Sequence, residues 1–122
     1  MLNRKENSTN NQNRQKLNDC GLIYAMDVIR GRWKMLILYK LEQGKLRFTE
    51  LKNSLPNISE RMLILQLKEL EKDQLIIRTV YPEIPVRVEY ELDQAAHQLI
   101  PIWHALELWG NNLKDVHGKV VC

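Results

Sequence analysis

Cysteine is almost absent from the 122 residues: Cys20 and Cys122 stand near opposite ends, and neither belongs to a CxxC or a Cys/His cluster. A disulfide scaffold and a zinc knuckle are thereby excluded, since each needs several such residues at close spacing. Histidine is equally scarce. His97, His104 and His117 all fall in the last quarter of the chain, and Asp93 with His97, one helical turn apart, supplies two ligands at most. Neither a metal site nor a convergent catalytic site is expected, and no cofactor. No apolar run approaches the roughly 20 residues of a membrane span, and the first residues lack the apolar block of a secretory signal. The expectation is a soluble cytoplasmic chain with no membrane partner. A strongly one-sided charge is missing too: the net charge of +3 does not by itself name a nucleic-acid partner.

Charge is present in a pattern. Between residues 30 and 56 stand Arg30, Arg32, Lys34, Lys40, Lys45, Arg47 and Lys52 against only Glu42 and Glu50, a basic footprint. Residues 57–91 lean acidic instead, which weakens non-specific attraction to phosphate. At 44% hydrophobic residues the chain can bury one compact core and little more. Residues 1–19, rich in Asn and charge, read as a flexible tail, and 20–122 as a single domain.

Apolar spacing then lays out the elements. Leu22, Met26 and Ile29 recur at helical intervals before Arg30-Gly31. Arg32 to Gln43 follows as a helix apolar on most sides, with Trp33, Leu36, Ile37 and Leu41 on its inner face, stopped by Gly44. Lys45-Leu46-Arg47 can form a very short strand. Phe48, Leu51 and Leu55 mark a third helix, with Thr49 as its expected cap, ending at Pro56. Ser59 then caps a fourth helix, whose buried seam is Leu63, Leu67 and Leu70. The period changes to two over Leu75–Val80 and Val86–Leu92, flanking a tip of Tyr81-Pro82-Glu83-Ile84-Pro85. Asp93 caps a last helix, about 93–115, with a stripe of Leu99, Ile102, Trp103, Leu106 and Leu113 and with Trp109 beside it; Pro101 kinks it or marks its true start.

Helix, three-residue turn, helix and hairpin form the order of a winged helix-turn-helix, an α+β, mainly helical fold in which the second helix of the pair enters the major groove. Here the pair covers about 48–73 and the wing about 75–92. With the leucines inward, a turn of about 100° per residue sets Arg61, Leu65, Lys68 and Lys72 outward. Arg61 suits guanine, Leu65 a thymine methyl, Lys68 and Lys72 phosphate, and Glu60, beside Ser59 at the leading end, a cytosine amino group. Arg47 and Thr49 at the head of the preceding helix complete the candidate face, with Arg87 and, more weakly, Arg78 on the wing.

The ordered series Cys20, Met26-Asp27-Val28-Ile29-Arg30-Gly31-Arg32-Trp33, Arg47-Phe48-Thr49-Glu50-Leu51, Ile58-Ser59, Leu67-Lys68-Glu69-Leu70-Glu71, Arg78, Pro85, Arg87-Val88-Glu89-Tyr90-Glu91-Leu92 and Trp109-Gly110 resembles the HxlR-type family of winged-helix regulators, related to the MarR class. The resemblance implies a homodimer held by the first and last helices on an inverted repeat of double-stranded DNA. Leu22 and Met26, with Leu99, Trp103, Leu106 and Trp109, are then the expected dimer contacts. It also implies that Cys20 is a candidate sensor of oxidants or electrophiles, with a small-molecule effector as a further possibility. The chain departs from the family at Ile64, Gln74, Asp93 and Ala96, where relatives usually carry a small polar residue, Gly, Thr and Gly. The main rival is a winged-helix module that binds protein instead of DNA, a use the fold permits; an enzyme is not expected.

Overall fold

The structure is a computed structural model and describes residues 20–118; the expected tail at 1–19 and Cys122 lie outside the described residues. The described residues divide into two compact units, 20–31 and 32–118. In the first, α1 (Gly21–Val28) begins after an extended Cys20, and the Ile29 N–H closes it on the Ala25 carbonyl at 3.0 Å. None of its residues is buried; Leu22 and Met26 are well exposed. Gly31 holds φ +93°, a value that L side chains rarely adopt, and this is why the helical pattern breaks there.

The second unit runs α2 (Lys34–Leu41), β1 (Leu46–Arg47), α3 (Phe48–Ser54), α4 (Glu60–Lys72), β2 (Ile76–Tyr81), β3 (Arg87–Leu92), α5 (Gln94–His97) and α6 (Ile100–Val116). The three strands form an antiparallel sheet in the order β1-β3-β2, with Ile76 opposite Leu92, Tyr81 opposite Arg87, and Leu46 opposite Tyr90. Its core joins Ile37, Leu38 and Leu41 of α2, Leu51 of α3, Leu63, Leu67 and Leu70 of α4, Ile76 of β2, Tyr90 and Leu92 of β3, and Trp103 of α6. Fully burying one such aliphatic side chain stabilises the fold by about 1.5–3 kcal/mol, so the leucine seam is the main force holding α4 in place.

Four local expectations change. The inner face of α2 is Lys34, Ile37, Leu38 and Leu41, a stripe at i, i+3, i+4 and i+7, and Leu36 turns outward. A helix apolar all round admits several such stripes, and its neighbours choose among them. Thr49 does not cap α3; the Glu50 carboxylate accepts the Arg47 N–H at 2.8 Å, so the helix starts one residue after Arg47. The expected helix over 93–115 is two: of the two readings of Pro101, a kink or the true start, the second holds, because α6 starts at Ile100 with Pro101 in its first turn, where a missing N–H leaves no bond unmade. Finally, the hairpin tip is Pro82 to Val86, one residue later than its expected span.

Two departures from the family pattern are accommodated. Gln74, where the resemblance leads to an expectation of Gly, takes φ +63°, at a cost of about 1 kcal/mol. The turn it makes still closes α4, with Gln74 N–H on the Glu71 carbonyl at 3.0 Å and Leu75 N–H on that of Leu70 at 2.9 Å. The Asp93 carboxylate accepts the Gln94 N–H at 2.6 Å and opens α5.

Candidate nucleic-acid interface

Between α3 and α4 the chain turns through Leu55 to Ser59, with Leu55 and Ile58 buried and Asn57 at φ +71°. Asn is among the few side chains that tolerate this region. Ser59 is extended, and its hydroxyl accepts the Met62 N–H at 3.0 Å, a cap worth about 1 kcal/mol to the helix start. Glu60 sits in the first turn, where the helix dipole favours a carboxylate.

With Leu63, Leu67 and Leu70 buried, the opposite face of α4 carries Arg61, Leu65, Lys68 and Lys72, all exposed. Among the described residues none of these three cations makes an ion pair or a hydrogen bond. Leu65, at 48% exposure, is an apolar side chain standing in water between two cations. Such a row of available donors and one apolar group matches what base edges and a thymine methyl offer. Arg47, Thr49, Ser59 and Glu60 are exposed as well.

On the wing the two arginines differ. Arg78 is exposed on the sheet face that carries Tyr90, and a groove of about 420 Å³ lined by Ile64, Leu67, Lys68, Glu71, Arg78 and Tyr90 separates α4 from the strands. Arg87, expected to touch DNA, is engaged within the hairpin. Its guanidinium meets Glu83 at 2.8 Å and Glu89 at 2.7 Å and lies over the Tyr81 ring, 3.6 Å from the centroid. Both carboxylates, Glu83 first, raise its affinity for the proton, and Arg87 in turn holds the Glu83 carboxyl below its usual value. A cation with two close carboxylates offers phosphate little net charge, so of the two wing arginines Arg78 is the more available. Glu89 lies two residues along the strand on the same face as Arg87, the one signal in the sequence that could have found part of this pairing; Tyr81, expected in the tip, lies directly across from Arg87.

A cluster that sequence reasoning missed joins α2 to α6. The Trp103 Nε1–H donates to Glu42 at 2.8 Å, the His104 Nε2 meets the same carboxylate at 2.8 Å, and the Tyr39 hydroxyl donates to Glu107 at 3.1 Å. Trp103, expected at a dimer surface, is 2% exposed and is therefore core. Leu99 is half-buried, and Leu106 and Trp109 are exposed. The backbone N–H groups of Ile23 and then Leu22, at the start of α1, favour the thiolate and hold the exposed Cys20 thiol below its ordinary value, the effect of a helix N-terminus. Among the described residues no three His, Cys, Asp or Glu side chains gather as metal ligands, and no helix is long and apolar enough to cross a membrane.

The family model described as HxlR-like helix-turn-helix matches residues 28–117. An uncharacterised HTH-type transcriptional regulator of Methanothermobacter thermautotrophicus is 48% identical over 91 residues, covering 75% of this chain and 70% of its own. The HTH-type transcriptional regulator YdeP of Bacillus subtilis is 43% identical over 101 residues, 83% of this chain and 79% of its own. Among solved structures, the redox regulator HypR in its reduced form superimposes with a TM-score of 0.77 at 39% identity, covering 81% of this chain and 98% of that one.

Proposed function

The chain belongs to the HxlR-like helix-turn-helix family, and from that premise we propose that it is a DNA-binding transcriptional regulator that reads an inverted repeat as a cytoplasmic homodimer. It is not an enzyme. The observation that carries the reading is the outer face of α4: leucines inward, and Arg61, Leu65, Lys68 and Lys72 outward and available. In this reading Arg61 and Leu65 read bases, Lys68, Lys72 and Arg78 hold phosphates, and Arg47, Thr49, Ser59 and Glu60 flank the groove. The dimer forms through exposed apolar side chains of α1, Leu22 and Met26, and of α6, Leu106 and Trp109 with the half-buried Leu99. Two recognition helices one helical turn of DNA apart then meet two half-sites.

A salt titration separates this reading from a winged helix that binds only protein. Three phosphate contacts in each protomer give six for the dimer, so log affinity for duplex DNA is expected to fall against log salt with a slope of about −5, roughly a thousandfold between 50 and 200 mM. A protein-binding module instead shows no duplex binding even at low salt.

Regulation is assigned to Cys20, whose thiol is exposed at a helix N-terminus; the relative HypR is described as a redox regulator. Two Cys20 thiols, one from each protomer, would pass two electrons and two protons to an oxidant such as diamide and form one disulfide. DNA binding by the native protein is expected to change on diamide treatment and that of Cys20→Ser to stay constant; a variant that still responds removes Cys20 from the mechanism.

A further inference from the structure

The two flanks of α4 are held differently. Its seam of Leu63, Leu67 and Leu70 is buried and fixes which face turns inward, but the hydrophobic effect is non-directional and leaves the fine setting of the roll to directional contacts. On one flank, the side of Ile64 and Glu71, a groove of about 420 Å³ opens beside the helix, and Ile64 is partly exposed. The other flank carries Glu69, and there the Lys34 ammonium, on a side chain only 6% exposed, reaches the Glu69 carboxylate at 2.6 Å. Lys34 opens α2, whose next turns bury Ile37, Leu38 and Leu41, so the ammonium is delivered from a fixed base. Among the described residues this is a short, directional contact to a neighbouring helix, away from the seam and opposite the more open flank, and it is placed to fix the roll.

We propose that Lys34 is a positioning residue for DNA recognition: through Glu69 it sets the rotation of α4 and so decides where Arg61 and Leu65 meet the base edges. This rests on the reading of α4 as the DNA-facing helix. The side-chain surface lies about 5–6 Å from a helix axis, so a roll of roughly 10–20° displaces it by about 1–2 Å, beyond the ~0.5 Å tolerance of a recognition constellation. Phosphate contacts through long lysine side chains absorb such a shift, and bidentate base contacts do not. Nor is stability the main yield of the pair. Taking an ammonium out of water offsets most of its attraction to a carboxylate, and apolar replacements of both partners are commonly neutral or better.

The test uses full-length protein and two duplexes: one selected by the native protein from a randomised pool, and its scrambled counterpart. Lys34→Met combined with Glu69→Leu is expected to melt within about 5 °C of the native protein, and to bind the scrambled duplex with unchanged affinity and salt slope. Its preference for the selected duplex should fall tenfold or more. Exchanging the charges, Lys34→Glu with Glu69→Lys, restores the contact and should recover most of that preference. The proposal is overturned if the apolar pair keeps its preference, if scrambled binding and melting fall in step with it, if neither variant folds, or if the exchange recovers nothing. Failure of the native protein to enrich any sequence at low salt would remove the DNA reading itself, an outcome distinct from all of these.

Discussion

Replacing Trp103 by alanine is expected to destabilise the protein by about 3–5 kcal/mol, the range for deleting a large buried aromatic side chain, measured as a shift of the denaturant midpoint at unchanged slope. The indole is 2% exposed, and its Nε1–H is spent on Glu42, so the substitution opens a cavity and also removes a polar tie between α2 and α6. Trp103→Phe keeps most of the ring and separates the two effects; losing a hydrogen bond to a charged group should cost about 1.5–3 kcal/mol. Acid modulates that smaller loss. The Trp103 N–H first, and His104 second, hold the Glu42 carboxyl below its usual value. A carboxyl whose native pKa is lowered stabilises the fold above the ordinary glutamate pKa of about 4.3 and loses that contribution as pH falls through the lower native value. The stability gap between native protein and Trp103→Phe should therefore narrow below about pH 4. A gap that widens in acid would show that Glu42 accepts nothing from the indole.

Arg61→Ala carries the second large effect: a loss of about 1–3 kcal/mol on the selected site, with relaxed preference at the base pair it meets. The side chain is exposed in the first turn of α4 and makes no ion pair among the described residues, so its removal leaves folding nearly untouched. Lys68→Ala provides the contrast. It should weaken selected and scrambled duplexes equally and lower the salt slope by about one contact in each protomer. If Arg61→Ala behaves in the same way, Arg61 holds a phosphate and reads no base.

The elements that carry periodic signals were legible before any coordinates. Leu63, Leu67 and Leu70 return at helical spacing, Ser59 precedes them, and the strands alternate; the buried seam and the cap stand where that pattern put them. Even the awkward Gln74 announced itself as a residue in a glycine's place, and it takes the left-handed backbone that glycine would. What could not be read were choices made by tertiary neighbours. Nothing local distinguishes Leu36 from Leu38 in a helix apolar all round, and burial of Leu38 depends on what packs against α2. The stripe through Trp103 suggested a surface for a partner, while a carboxylate 61 positions away claims its indole. The pairing of Arg87 was hidden for a related reason: a charge count along the chain sees a cation, and the hairpin geometry closes Glu83 and Glu89 around it. Lys34 is the reverse case. It counted as one member of a basic footprint, yet it is buried and pairs with Glu69 of α4.

Backbone amide shifts recorded by NMR during titration with a selected duplex test the assignment of α4 most directly. The largest changes are expected from Ser59 through Lys72, with smaller ones at Arg47, Thr49 and Arg78. Should those amides stay still while other surfaces respond, this helix does not read DNA and the recognition face lies elsewhere on the molecule.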